Sequence, residues 1–257
     1  MTLFPSLSLF ALTACERPAV DWREPVAIGA PSSGFRLSVD AAGDAAFVPD
    51  SVRAAAPPQS TGLCARSVRI ALGVGRLHAV WWNVRGDSSA ALYASASPDS
   101  GRTWESPVAV DTSDVSSRGC DRPSPSLATI GDDIYVAYSM IAPEGTGVFF
   151  AHTMASMLHS PVAVLYGERL VSTAIAVAAE RVAVAYEQPN GKRAGIDVAV
   201  SSTQGHIFES RVTATRGVDA GTAPRVALTD HAIAVSWTAT AFGGGTPSRV
   251  VRTGRLQ

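Results

Sequence analysis

Ser97-Pro98-Asp99-Ser100-Gly101-Arg102-Thr103-Trp104 is the stretch on which the reading of this chain turns. It lies between two alternating runs, Ala91-Leu92-Tyr93-Ala94-Ser95 and Pro107-Val108-Ala109-Val110. Each residue suits a tight β-hairpin. The Asp99 carboxylate can accept bonds from backbone N–H groups just beyond it, and Gly101 can take a positive φ with no Cβ clash. The indole of Trp104 can then fold under the turn and cover the end of the hairpin.

The pattern Ser-x-Asp-x-Gly-x-x-Trp resembles the Asp-box of bacterial-neuraminidase-type repeats and matches it at Ser97, Asp99, Gly101 and Trp104. The resemblance implies a β-propeller blade. It also implies a structural role for the box, which in that family joins the two outer strands of a blade away from the ligand face.

The rest of the chain reads as copies of one unit, an apolar strand, a tight turn and a strand ending in an aromatic. The copies run from Leu37-Ser38-Val39 to Phe47, Ile70-Ala71-Leu72 to Trp81, Leu127-Ala128-Thr129 to Tyr138, Ile175-Ala176-Val177 to Tyr186, and Val226-Ala227-Leu228 to Trp237. From Trp81 on, the aromatics recur at a blade-like period, and the alternation inside each copy is that of strands. Ser201-Ser202-Thr203-Gln204-Gly205-His206-Ile207-Phe208 aligns on the box without gaps, whereas His152 to Leu158 in the third copy is shorter. Trp22-Arg23-Glu24-Pro25-Val26-Ala27-Ile28 aligns on Trp104 to Val110, so the domain opens with the last strand of a blade. Residues 247–257 supply its partner. The expected fold is all-β: a propeller of four-stranded antiparallel blades, closed by strand 22–28 against the C-terminal strand. Five blades follow from the copies, and six, the usual sialidase number, stays open.

The N-terminus reads as an export signal. Residues 3–11 form a short apolar region, and Leu12-Thr13-Ala14-Cys15 resembles a bacterial lipobox with Cys15 as the lipidation site. This gives a signal peptide over 1–14, a lipidated tether over 15–21 and the propeller over 22–257. Acyl chains on Cys15 would hold the protein on a membrane. Glu16 in place of aspartate, by resemblance to other lipoproteins, points to the outer membrane of the cell envelope. The formal net charge of −1 and 17% charged residues give no electrostatic case for nucleic acid. Of three cysteines, Cys64 and Cys120 remain for a disulfide, since they occupy equivalent positions in neighbouring copies.

Such a bridge would set Arg66 beside Arg122, next to Asp121, on the ligand face. Paired guanidinium forks suit a carboxylate. Phe35-Arg36-Leu37 resembles the start of the motif that opens sialidase domains, where the arginine binds the substrate carboxylate, although Ser38 replaces the proline. The ligand-binding candidates are therefore Arg36, Arg66, Asp121 and Arg122. A sialidase also needs a tyrosine–glutamate pair and an aspartic acid/base. The last tyrosine is Tyr186, at a core-aromatic position, and Asp50 has only its first-blade loop to recommend it. With that set incomplete, no catalytic residue is assigned. The five histidines show no metal-ligand spacing, and no cofactor is expected. Trp82 is either a sugar platform or packing between blades. The favoured function is a membrane-anchored, non-catalytic module that binds a glycan or an envelope protein. The alternatives are an exo-sialidase-like hydrolase and a scaffold of an envelope complex.

Overall fold

A computed structural model describes residues 19–28, 34–50, 52, 58–191, 194–215, 220–240 and 246–257. The signal-peptide segment, Cys15 and residues 16–18 of the tether lie outside the described residues. Those described form an all-β protein of antiparallel sheets, in which the only helical piece is one 3₁₀ turn at Ala65–Ser67.

The chain enters through β1 (Val20–Trp22) and β2 (Val26–Ile28). The first sheet is β3 (Phe35–Val39) with β4 (Ala45–Pro49). The second holds β5 (Arg69–Leu72), β6 (Leu77–Val84), β7 (Ala90–Ser97) and β8 (Val108–Asp111). The third holds β9 (Ser126–Ile130), β10 (Asp133–Ala142) and β11 (Gly145–Met154), with β12 (Met157–Leu158) and β13 (Val162–Tyr166) both on β11. The fourth is β14 (Thr173–Ala178), β15 (Arg181–Glu187), β16 (Ile196–Ser201) and β17 (Ser210–Thr213). The fifth is β18 (Ala220–Leu228), β19 (Ala232–Thr240) and β20 (Ser248–Leu256), completed by β1 and β2.

The N-terminal strand expected over 22–28 is two strands. Val20 stands opposite Leu256 and Val26 opposite Val251, and Arg23-Glu24-Pro25 interrupts the run. Pro25 has no N–H to give the ladder. The folded part begins earlier than the expected boundary at residue 22, because Val20 is buried in the core. The first sheet has two strands among the described residues; residues 51 and 53–57, which follow β4, lie outside them.

Apolar side chains join the sheets in series. Trp82, Leu92, Tyr138 and Phe149 bind the second sheet to the third, and Phe150, Val164, Ile175 and Tyr186 bind the third to the fourth. Ile196, Val198, Ile233 and Trp237 bind the fourth to the fifth, and Leu37, Val39 and Ala234 bind the fifth to the first. Among the described residues no such cluster joins the first sheet to the second. Trp82 is fully buried, edge-on to Tyr138 with ring centroids 5.8 Å apart, and donates its indole N–H to Pro123 O at 2.9 Å. It is packing between sheets, not a sugar platform.

The Ser97–Trp104 turn is held by side chains acting on backbone. Ser97 Oγ accepts from Gly101 N at 2.8 Å, and Asp99 Oδ1 accepts from Thr103 N at 2.8 Å. Its counterpart repeats both links: Ser201 Oγ accepts from Gly205 N at 3.0 Å and Thr203 Oγ1 from Ile207 N at 3.1 Å. The left-handed positions also coincide, with φ of 87° at Gly101 and 90° at Gly205. A hydroxyl thus replaces the carboxylate and preserves the turn.

Cys64 and Cys120 form a disulfide with their Cα atoms 5.4 Å apart, tying the segment before β5 to the segment before β9. Replacing both by alanine should lower stability by up to about 4 kcal/mol on the loop-entropy model, read as a lower urea midpoint with a steeper slope, since the unbridged unfolded chain is less compact. A second test concerns pH. Hydrogen bonds from the Thr103 hydroxyl and amide lower the Asp99 carboxyl from 3.8 to about 2. The turn's stabilisation is therefore complete above pH 3.8 and is lost as pH falls through about 2. The Thr103 amide resonance should titrate near pH 2 in the folded protein, and should not titrate there in Asp99→Asn.

Candidate functional site

Cross-strand hydrogen bonds fix how the first strands of the five sheets align. Ser124 Oγ donates to Arg66 O at 3.1 Å, Ser126 Oγ lies 3.2 Å from Thr173 Oγ1, and Arg225 Nη1 donates to Phe35 O at 2.9 Å. These contacts bring together the starts of β5, β9 and β14 and set Arg225, in the second half of β18, against the start of β3. Thr129 Oγ1 donating to Leu72 O at 2.7 Å marks the other end. The strands surround a cavity of about 900 Å³, lined by residues of all five sheets.

Among the described residues three arginines reach this cavity, Arg36, Arg69 and Arg225. Each stands immediately before the apolar residue that opens its first strand's core pattern: Arg36-Leu37, Arg69-Ile70 and Arg225-Val226. Strand alternation turns Leu37 and Val226 into the core and leaves the arginines on the opposite side. The same position holds Ser126 in β9 and Ala174 in β14. Arg36 is exposed and makes no ion pair among the described residues. Arg69 bonds only carbonyls, Arg66 O and Val68 O, and Arg225 lies over the Phe47 ring at 5.7 Å. A fourth arginine, Arg249, bonds Ala223 O beside the lining; burial, with Arg225 adding to it, lowers its guanidinium to about 10. The one carboxylate among the described lining residues is Asp50, which accepts from Val52 N at 3.1 Å. The described lining holds no tyrosine, glutamate, histidine or cysteine. Cations set in a concave, low-dielectric wall concentrate field on an incoming anion.

The sequence candidates separate on this frame. Arg36 and Asp50 line the cavity. Arg66 is exposed in the 3₁₀ turn. Asp121 is exposed and pairs with Arg118 at 3.2 Å. Arg122 is not beside Arg66 as a second free cation. Its side chain is 1% exposed, pairs with an equally buried Asp114 at 2.8 Å and packs over Trp82. Asp114 also accepts from Ala90 N at 2.9 Å and Ser116 Oγ at 2.9 Å, so the pair belongs to a buried network that shapes the 111–122 loop. Tyr186 is core packing, 2% exposed, with its hydroxyl pKa raised by burial first and by Asp197 second. Arg69 and Arg225 were missed. The signal for them was their position, identical to that of Arg36 in the repeated unit. Among the described residues no group of three His, Cys, Asp or Glu side chains is placed to hold a metal ion.

No family model matches the sequence, and no curated protein matches it significantly. Among solved structures the chain is similar to a protein of unknown function from Dyadobacter fermentans DSM 18053. The identity is 17% over 73% of this chain and 52% of that one, with a TM-score of 0.52. The chain thus spans about half the length of that structure. A Trypanosoma rangeli sialidase in complex with 2,3-difluorosialic acid is 12% identical over 84% of this chain and 39% of its own, with a TM-score of 0.49. The catalytic domain of a Coprinopsis cinerea GH62 α-L-arabinofuranosidase is 10% identical over 93% and 98%, with a TM-score of 0.46. Similarity at these identities concerns fold alone.

The two kinds of arginine should behave oppositely on mutation. Arg122→Leu strands a buried carboxylate and should cost about 3–5 kcal/mol in chemical denaturation. Arg36→Ala, at an exposed position, should stay within about 0.5 kcal/mol.

Proposed function

We propose that this chain is a five-bladed propeller whose central cavity binds a carboxylate-bearing sugar without cleaving it. In this reading the Ser97–Trp104 and Ser201–Phe208 turns are Asp-boxes, and the pairing of β1 and β2 with β20 is the closure of the ring. The observation that carries the function is the set Arg36, Arg69 and Arg225, three guanidinium groups at one register position around a single cavity. Their forks match a carboxylate in geometry and sign. The serine and threonine hydroxyls of the lining suit the remaining polar groups of a sugar.

The absence of a tyrosine or glutamate from the described lining supports binding over hydrolysis, because a sialidase-type reaction needs that pair beside the bound carboxylate. Anchoring through Cys15 would place the cavity at the cell envelope, in reach of glycans or envelope proteins. The lipid anchor and the outer-membrane location are part of the proposal, and Cys64–Cys120 fits an oxidising compartment.

The test is a glycan array run beside a fluorogenic sialoside assay. Acidic glycans should be retained and neutral ones not, and Arg36→Ala or Arg225→Ala should weaken retention at least tenfold with folding unchanged. Equal retention of neutral glycans would remove the carboxylate reading. Sialoside turnover that disappears in Arg36→Ala would replace binding by hydrolysis, and silence in both assays would favour a scaffold.

A further inference from the structure

A second cluster lies on the hairpin that leaves β11. The backbone amide of His159 donates to His152 O at 2.9 Å, and the register continues as Thr153 opposite Leu158 and Met154 opposite Met157. Directly opposed residues share a face, and alternate residues along a strand share it too. The segment His152-Thr153-Met154-Ala155-Ser156-Met157-Leu158-His159 therefore presents two imidazoles and two thioethers on one side. Its turn is tight, with Ala155 and Ser156 at φ of 49° and 66°.

The 201–208 turn of the fourth sheet closes over this face. Gly205 sits so close to the Phe150 ring that no Cβ would fit, and this brings His206 onto the hairpin. His206 lies edge-to-face with His152 and His159, at centroid distances of 4.9 and 5.7 Å. Its Nε2 is 3.3 Å from Met154 Sδ. Two donors held about 2.0–2.3 Å from one ion at a tetrahedral angle stand about 3.5 Å apart. His152 is 4% exposed, and its Nε2 is buried with no hydrogen-bond partner. Met157 is 66% exposed, an unusual position for a thioether with only packing to do. The parallel stack of His152 on His159, 9° between planes, lets only one of the two rings ligate a given ion, because the nitrogen lone pairs lie in the ring planes. Thioethers change the selectivity, since they and imidazole together favour a soft monovalent ion.

We propose that Met154, Met157 and His206, with one imidazole of the His152–His159 stack, form a binding site for Cu(I). The site lies on the third and fourth sheets at the hairpin ends, apart from the arginine-lined cavity.

Anaerobic titration of the Cys15→Ser chain, with its disulfide intact, against Cu(I) in a chromophoric chelator tests this. One equivalent should be drawn from the chelator, with shifts confined to the ring resonances of His152, His159 and His206 and the methyl resonances of Met154 and Met157. The double variant Met154→Leu/Met157→Leu conserves volume and should keep the fold while losing at least tenfold in affinity. His206→Asn, on an exposed side chain, should do the same. Failure to compete with the chelator would overturn the proposal, as would unchanged affinity in both variants.

Discussion

The structure depends on how five first strands crowd around one cavity. In each, a small residue follows the first apolar residue of the repeated unit: Ser38, Ala71, Ala128, Ala176 and Ala227. The bulky neighbours point back toward the preceding sheet. Leu127 packs on the second sheet, Ile175 on the third, Val226 on the fourth and Leu37 on the fifth. Ala128 and Ala227 face the following sheet. Each seam is thus filled by one large and one small partner, the alternation that lets tapered β-structures converge without overpacking. Ile70, whose preceding sheet has two described strands, remains only partly buried. A larger side chain at Ala128 or Ala227 would push two sheets apart at the radius where they have least room.

Arginine plays two opposite parts. Deep in the second sheet it neutralises and orders. Arg122 faces Asp114 from inside, while the exposed Arg85 donates to Thr112 O at 3.0 Å and Asp114 O at 2.8 Å, holding the 111–122 loop from its outer side. Tyr138 adds a 2.6 Å bond to Asp111 at the loop's origin. At the cavity the same residue type, among the described residues, bonds carbonyls or has no bonded partner, and its charge is left for whatever enters. The distinction rests on which arginines have a carboxylate within reach. The rigid loop matters to the open cations because Arg66 O, next to the disulfide, is bonded by Ser124 at the start of β9.

What could be read from sequence divides along the range of the interactions. The Ser97–Trp104 turn was legible because its bonds run between residues four apart, and its twin at 201–208 followed by alignment although Thr203 replaces the aspartate. The disulfide followed from repeat equivalence. Arg122 did not, since its partner Asp114 lies eight residues upstream in a loop without period, and the nearer Asp121 belongs to Arg118. Arg69 and Arg225 were visible in the repeat but carried no motif. The histidine cluster needed the hairpin register, which a shortened third unit concealed. The split of the N-terminal strand was signalled by Pro25, yet the gapless alignment on Trp104 to Val110 spoke for continuity.

The fifth sheet draws strands from both ends of the chain, Val20 opposite Leu256 and Val26 opposite Val251. This has a consequence for the order of assembly. The second, third and fourth sheets are each continuous in sequence and can form as soon as their own residues are available. The fifth cannot be completed until β20 has been made, and its loop-closure cost is the largest among the described sheets. Until then β20's partners wait unpaired at the front of the chain, and Val20, Trp22 and Ile28 have no seam to enter. The slowest and most aggregation-exposed step of folding is thus the one in which β20 meets strands so far from it in sequence.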